Sequence, residues 1–412
     1  MKTTGIIAEY NPFHNGHKYH LQKAKELTGC DYTIVLMSGD YTQRGTPAIY
    51  SKYIRAKAAL LAGADLVLEM PVFGSVASAP DFARCGVQSL AATGICDTLF
   101  FGSESGSVEL LKKQVDSLEH EPPEISKFIR EELKNGLSWP AARAKAYETY
   151  TSGTSISTEW NSPVAELPND ILGIEYIRAI RASGSGMEPK TMQRTDPGYH
   201  SEKKSGSFAS ATAARKAILN HNMDFLTEIL PDELFAALTD ESCPPVTFDD
   251  CTLLLGEKLL TSSPDDLFSI SGMPEDLARK LYKNRLDFES ADALAAARKG
   301  RNFTYTRVNR SLLNLMLGIS KEDTQLFKSL DSAPWLRILG FRKDASPLLS
   351  HLKKNAQIPL ITKIAAAESL LSESAAYLFQ KHLNTAETYR LLVQIKSGQK
   401  TKNEFLRSVM II

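Results

Sequence analysis

Gly5-Ile-Ile-Ala-Glu-Tyr-Asn-Pro-Phe-His-Asn-Gly-His-Lys-Tyr-His20 decides how the rest of the chain is read. Residues 2–8 are short, apolar and closed off by Asn11-Pro12, which predicts a buried strand. Residues 16–28 then carry Tyr19, Ala24 and Leu27 at helical spacing, with Gly29 placed to stop the helix. Between strand and helix lies His14-Asn15-Gly16-His17, an H-x-G-H tetrad. Three of the eight histidines, at 14, 17 and 20, fall on this one junction. A helix N-terminus presents unpaired N–H groups and a partial positive charge, which suits phosphate. Gly16 takes a Cβ out of the path of a bulky anion. His14 and His17 can donate to phosphate oxygens and stabilise the charge that builds as pyrophosphate departs. His20 lies almost one turn beyond His17 and shares its face. Surface histidines and a zinc site are the competing readings; zinc asks for a third ligand and usually another spacing.

The alternation continues outward. Asp31 to Met37 is a second strand, Ser51 to Ala62 a helix with Ser51 as N-cap, and Asp65 to Glu69 a third strand ended by Pro71. Residues 80–93 are helical, and Asp97 to Phe101 is a fourth strand ending at Gly102. Apolar strands alternating with helices predict a parallel sheet covered on both faces. Such sheets place ligands at the carboxyl ends of their strands, where Asn11 to His17, Ser38 to Gly45 and Gly102 to Glu104 fall. Residues 107–150 read as charged helices, 151–168 as a Ser/Thr-rich connection, and Asn169 to Ile180 as helix. Lys190 to Thr195 is a fifth strand, 196–208 a polar loop, and another helix starts near Ser210. Beyond about residue 220 strand signals fade and Leu/Ala-rich helical segments take over.

The bulk numbers bound the function. A chain of 412 residues suits two or three domains, and 43% hydrophobic with 23% charged residues is ordinary for a globular protein. Lys plus Arg and Asp plus Glu are both 48, which excludes a strongly basic nucleic-acid coat but not a local patch. No apolar run approaches the roughly 20 residues of a membrane helix, and the N-terminus lacks the pattern of a signal peptide. Cys30, Cys85, Cys96, Cys243 and Cys251 are odd in number and scattered. They argue against a disulfide framework or a structural zinc site and point to a reducing cytoplasm.

A second element supports the first. Ala209-Ser-Ala-Thr-Ala-Ala-Arg215 opens a helix and has the form S-x-T-x-x-R. Ser210 and Thr212 can reach triphosphate oxygens near the helix start, and Arg215 can pair with phosphate. The plainer alternative makes Ser210 an N-cap and Arg215 a surface charge.

Together the two motifs resemble the nucleotidyltransferase superfamily of adenylyl-transferring enzymes, with Ala209 and Ala214 departing from the commoner apolar residues of the distal motif. Longer stretches narrow the likeness: Gly5 to His20, Ser38-Gly-Asp-Tyr-Thr-Gln-Arg-Gly45, Gly63-Ala-Asp-Leu-Val-Leu-Glu-Met-Pro71 and Phe101-Gly-Ser-Glu104. With Leu336-Arg-Ile-Leu-Gly-Phe341 and Pro359-Leu-Ile-Thr-Lys363 they resemble the bacterial tRNA(Met) cytidine acetate ligase family along the whole chain. The resemblance implies an α/β fold: a Rossmann-like nucleotidyltransferase domain with a parallel sheet over 1–220, which binds ATP and acetate, and a mainly α-helical, tRNA-binding domain over 221–412. It implies that acetate attacks the α-phosphate of ATP, that acetyl adenylate forms, and that the acetyl group passes to N4 of the wobble cytidine of elongator tRNA(Met). Magnesium is expected with the triphosphate, without nameable ligands.

Carried over residue by residue, His14, His17, Thr212 and Arg215 are the catalytic candidates. The ATP pocket takes Ile7, Ala8, Glu9, Tyr10, Asn11, Pro12, Phe13, His14, Asn15, Gly16, His17, Lys18, Tyr19 and His20, with Gly102, Asn169, Arg194 and Ser210. Gly102 lets the nucleoside lie against backbone, Asn169 can reach a base or ribose edge, and Arg194 can stack on adenine or reach phosphate. Asp40, Gln43 and Arg44 are assigned to an acetate or cytidine pocket, with a purely structural loop as the alternative. For tRNA, residues 279–310 hold nine Lys/Arg against three Asp/Glu, and Phe303 and Tyr305 interleave with Arg301, Arg307 and Arg310. Arg298, Lys299, Arg301, Arg307 and Arg310 are the expected RNA contacts, a solvated helix face being the plainer reading. A small-molecule adenylyltransferase and a non-catalytic ATP- or RNA-binding module are the competing functions.

Overall fold

A computed structural model describes residues 1–120, 122–134, 142, 145–146, 148–150, 167–194, 209–232, 234–235, 242–298 and 303–412. Its centre is one eight-stranded sheet. Strands β1 (Thr3–Ala8), β2 (Tyr32–Ser38), β3 (Leu66–Met70), β4 (Thr98–Ser103) and β5 (Glu188–Gln193) are parallel and run in the order β5-β4-β1-β2-β3. Each expected strand of the first half is present within one or two residues.

Alternate residues of β2 explain why both faces are covered. Ile34 and Leu36 pack into one hydrophobic cluster with Leu66, Leu68 and Phe82, while Val35 and Met37 pack into the opposite one with Ile6, Val67 and Ala59. Helices α1 (Asn15–Thr28), α2 (Lys52–Leu61), α3 (Ala79–Ala91), α4 (Pro168–Ser183) and α5 (Ala211–Leu219) supply those layers. Gly29 ends α1 in the left-handed conformation, its N–H donating to the Lys25 carbonyl.

The strand order reverses between β1 and β4. Chain direction steps from β1 to β2 to β3 on one side, then crosses back to place β4 and β5 on the other. A crevice opens at such a reversal because the two connecting segments leave in opposite directions. The H-x-G-H turn follows β1 and Gly102 sits near the end of β4, so the two border this crevice.

The stretch expected to be helical does more than carry helices. It contributes α6 (Tyr305–Leu317) and α7 (Glu373–Ser397), but also β6 (Leu336–Phe341), β7 (Leu360–Ile361) and β8 (Met410–Ile411). β6 pairs antiparallel with β3, and β7 and β8 pair parallel with β6, so the sheet crosses the expected boundary at residue 220. Arg337 and Gly340 depress the strand signal of β6, and two-residue strands carry no periodicity at all. The polar loop 196–208 lies outside the described residues, as does nearly all of the Ser/Thr-rich connection. Among the described residues no helix is long and apolar enough to cross a membrane. All five cysteines are free thiols.

Candidate active site

The first turn after β1 is built by its own histidines. His14 is the N-cap of α1, and its Nδ1 accepts the Gly16 N–H at 3.1 Å. His17 returns the favour: its Nδ1 accepts the His14 N–H at 3.3 Å. The two rings stack, with centroids 3.8 Å apart and planes 26° from parallel. An Nδ1 that accepts leaves the proton of a neutral imidazole on Nε2, so each ring turns an N–H donor away from the helix backbone. Removal from water keeps the His17 pKa well below the ordinary value, with repulsion from His14, Arg194 and His20 adding to it. Burial, then Arg194, pushes His20 down to about 4. Near neutral pH, His17 and His20 are therefore uncharged. Tyr10 and Phe13 are buried against His17, and His20 rests on Phe100 at 5.0 Å.

The distal motif reaches this turn. Ser210 is indeed an N-cap, its Oγ accepting the Ala213 N–H at 3.1 Å. Arg215, one turn further on, donates to the Asn11 carbonyl at 2.6 Å and to Thr212 Oγ at 3.0 Å. Asn15 Nδ2 donates to the Glu228 carbonyl at 3.1 Å, tying the turn also to the helix Met223–Ile229 that follows α5. The S-x-T-x-x-R helix is thus hydrogen-bonded to the segment that leads into the H-x-G-H turn.

Across the crevice, Gly102 has a defined task. A Cβ there would stand 3.1 Å from Arg194 Cγ and 3.9 Å from His20 Cδ2, so the Arg194 stem lies across bare backbone beside His20. Arg194 donates from its backbone to Ser103 at 2.8 Å and from its guanidinium to Asn169 Oδ1 at 3.3 Å. Asn169 opens α4, where Glu104 accepts its Nδ2–H at 2.7 Å, its backbone N–H at 3.2 Å and the Asp170 N–H at 2.8 Å. Sequence reasoning gave Glu104 no role; an acidic residue facing a helix start is the signal that could have supplied one.

Glu9 closes the strand end. Its carboxylate accepts the Gln43 N–H at 2.6 Å, and burial raises its pKa against the pull of that N–H, Arg44, Arg55 and Arg215. Arg55 went unnoticed in the sequence. It is wholly buried and donates to the carbonyls of Glu9 at 2.6 Å, Tyr50 at 2.9 Å and Ser38 at 3.1 Å, and also to Gly39. One guanidinium thus locks the ends of β1 and β2 together. Lys52 and Arg55 sit among alanines on one helix face, a spacing that could have flagged both.

The loop after β2 divides in function. Asp40 accepts the Lys52 N–H at 2.8 Å and lies 3.5 Å from Lys52 Nζ, so it caps α2 and faces a buried lysine. Gln43 and Arg44 turn toward Glu9. Gly45 has φ 78°, and a Cβ there would come within 2.3 Å of the Arg310 nitrogen, so the loop is pressed onto α6.

Behind Asp40 lies a buried ion network. Lys52 Nζ is 2.8 Å from Glu69 and 3.2 Å from Glu404. Arg337 is 2.8 Å from Glu69 and also pairs with Glu404, while Tyr53 donates to Glu404 at 2.9 Å. Although burial opposes it, Lys52 and Arg337 hold Glu404 down at about 2. A shallow cleft opens above this network, lined in part by Asp40, Tyr50, Tyr53, Arg390, Lys402 and Arg407.

The expected RNA stretch is only partly as foreseen. Lys299 and Arg301 lie outside the described residues. Arg298 is half-buried, and Arg307 sits 5.6 Å over the Phe303 ring. Phe303 itself is packed in the core and offers no face to a base, contrary to expectation, because the turn before α6 needs an apolar anchor. Arg310 donates to the Gln43 carbonyl at 3.2 Å, so it braces the loop after β2. Among the described residues no group of three or more His, Cys, Asp or Glu side chains is arranged to hold a metal ion.

Comparison with known proteins fits this geometry. The family model described as HIGH Nucleotidyl Transferase matches residues 1–404. The chain is 34% identical to the tRNA(Met) cytidine acetate ligase of Acetivibrio thermocellus over 420 aligned positions, covering 100% of both proteins. It is 36% identical to that of a Thermoanaerobacter species over 395 positions, covering 95% of each. The crystal structure of apo Thermotoga maritima TmcAL superposes with a TM-score of 0.91 at 31% identity, covering 100% of both chains. The same protein bound with alpha-thio ATP superposes with a TM-score of 0.89.

Proposed function

The chain belongs to the HIGH nucleotidyl transferase family, and from that membership we propose that it is an ATP-dependent tRNA(Met) cytidine acetate ligase. It activates acetate as acetyl adenylate and passes the acetyl group to N4 of the wobble cytidine of elongator tRNA(Met), in the cytoplasm. The observation that carries this reading is the Arg215 bond to the Asn11 carbonyl, which joins the two phosphate-recognising motifs at the crevice between β1 and β4.

The residues suit the two half-reactions. An acetate oxygen attacks the α-phosphorus; that P–O bond forms, the bond to the β-phosphate breaks, and pyrophosphate leaves with the electron pair. The α1 N-terminus and the Nε2–H donors of His14 and His17 face the charge that grows on the phosphates. Arg215 and Thr212 hold the turn that carries them. On the nucleoside side, Gly102, Asn169 and Arg194 form the contact surface. In the second half-reaction the cytidine amine attacks the acetyl carbonyl, the bond to AMP breaks, and the amine gives up one proton. Gln43 and Arg44 are the loop residues assigned to the acetyl group, with Asp40 acting behind them through α2. Arg298, Lys299, Arg301 and Arg307 are assigned to tRNA phosphates. Magnesium bound with the triphosphate would supply counter-charge to its oxygens.

The test uses purified protein, radioactive acetate, ATP and total bacterial tRNA, followed by nucleoside analysis. Labelled N4-acetylcytidine that disappears in His17→Ala is the expected result. ATP–pyrophosphate exchange that responds to a phosphomonoester and not to acetate sinks the proposal in favour of a small-molecule adenylyltransferase.

A further inference from the structure

We propose that residues 400–407, pinned beside the cleft, form a contact strip for a single-stranded run of the tRNA next to the transfer site; the identity of the RNA rests on the ligase reading above. Between positions 390 and 407 the chain has five cations (Arg390, Lys396, Lys400, Lys402, Arg407) against one carboxylate, Glu404. That carboxylate is spent inward. It is buried among Lys52, Arg337 and Tyr53, and its backbone N–H donates to Glu387 at 2.7 Å. Glu404–Leu406 is a single tight turn, so tethering Glu404 inward turns its neighbours outward. Phe405 is 57% exposed and Leu406 65%.

The charges sort the same way. Lys396 is committed to Asp250 at 2.9 Å and Arg390 to Glu387 at 2.6 Å. Lys400 and Lys402 are exposed, and Arg407 lies 4.6 Å over the Tyr53 ring at the cleft. In two cleft-lining residues a buried polar atom, Thr401 Oγ and Arg407 Nε, has no hydrogen-bond partner among the described residues. Asp40 and Glu404 are paired with Lys52, whereas Lys400 and Lys402 are exposed.

An exposed aromatic ring flanked by lysine and arginine suits a base that stacks while its phosphates are gripped, which a small anion does not need. The cleft's position is fixed relative to the ATP site: Arg55 holds the carbonyl of Tyr50, a cleft residue, and the carbonyl of Glu9 at the same time.

The test is a gel-shift titration with unmodified tRNA(Met) transcript, without ATP or acetate, over a series of salt concentrations. K400E/K402E is expected to lower affinity at least tenfold and to flatten the salt dependence by about two charges' worth. Phe405→Ala is expected to lower affinity several-fold with the salt slope kept. K353E/K354E, a charge-matched pair exposed on the helix Ser346–Asn355, is the control and binds normally. Parent-like affinity in both K400E/K402E and Phe405→Ala overturns the proposal. So does a change in self-association by sedimentation with tRNA affinity intact, which would make the strip a protein interface. Acetate-dependent ATP–pyrophosphate exchange without tRNA separates the two readings: its absence from the parent refutes the ligase, while the titration alone decides the strip.

Discussion

Glu104 accepts the Asn169 amide at 2.7 Å, and that contact decides which end of the amide Arg194 meets. With Nδ2 drawn to the carboxylate, Oδ1 is left facing the Arg194 guanidinium. Glu104 is a positioning residue in this scheme, acting through Asn169. Glu104→Ala is expected to raise the KM for ATP about tenfold while kcat changes little, and to lose roughly 0.5–2 kcal/mol of stability with the helix cap. Glu104→Gln, which still offers one acceptor oxygen, restores part of the KM. Steady-state exchange kinetics check the split.

The stacked imidazoles set a second expectation. Loss of one preorganised donor to a developing oxyanion typically costs ~100- to 1,000-fold. His17→Ala should slow acetate-dependent exchange by that order while the circular dichroism spectrum is kept. His14→Ala and His17→Ala should both be less stable as well, because each ring accepts a backbone N–H at the start of α1. Parent-like stability of both variants would contradict the capping geometry.

The third concerns pH. His20 titrates at about 4 and His17 well below its ordinary value, both neutral at pH 7. Above the ordinary value of 6.5 the folded and unfolded chains carry these rings in the same state. Below it the unfolded chain takes up protons that the folded one refuses, so stability falls from about pH 6.5 down to about pH 4. Imidazole shifts followed by NMR in the free protein should place the His20 midpoint near 4.

A fourth follows from the buried ions. Glu404→Gln leaves Lys52 and Arg337 facing one carboxylate fewer in a water-poor site. Removal of one partner from such a network costs ~3–5 kcal/mol. Urea denaturation should show a lower midpoint of that order, and loss below 1 kcal/mol would mean that water already screens these charges.

The fifth is geometric. Gly45 has φ 78° and no room for a Cβ against the Arg310 backbone. Gly45→Ala should push the loop from α6, costing roughly 1–3 kcal/mol, and should lower acetylation more than it lowers ATP binding, because Gln43 and Arg44 share the loop. Parallel measurement of ATP affinity and tRNA acetylation tests this.

The first half of the fold was legible because strand and helix periods alternate there without interruption. β1 to β5 and the helices between them were placed from apolar pattern, Gly and Pro alone. β6 was hidden because Arg337 interrupts an apolar run, and what makes Arg337 tolerable inside a sheet is Glu69 and Glu404, far away in sequence. The same holds for the site. His14, Gly16, His17 and Arg215 announce themselves by spacing, since local backbone geometry gives them their work. Arg55 and Glu104 act through contacts with distant backbone, which no local pattern encodes. Phe303 was misread for the converse reason: an aromatic beside arginines looks like a stacking platform until the core claims it.

The pairing of β6 with β3 has a consequence for biosynthesis. Leu66 meets Phe341, so the outer edge of β3 lacks its native cover until the ribosome has reached that distant partner. At roughly 5–20 residues per second this interval is on the order of 15–55 s. During it, an apolar strand with an open hydrogen-bonding edge is available to other nascent chains, and aggregation at elevated growth temperature should be decided there, with chaperones that mask strand edges setting the yield.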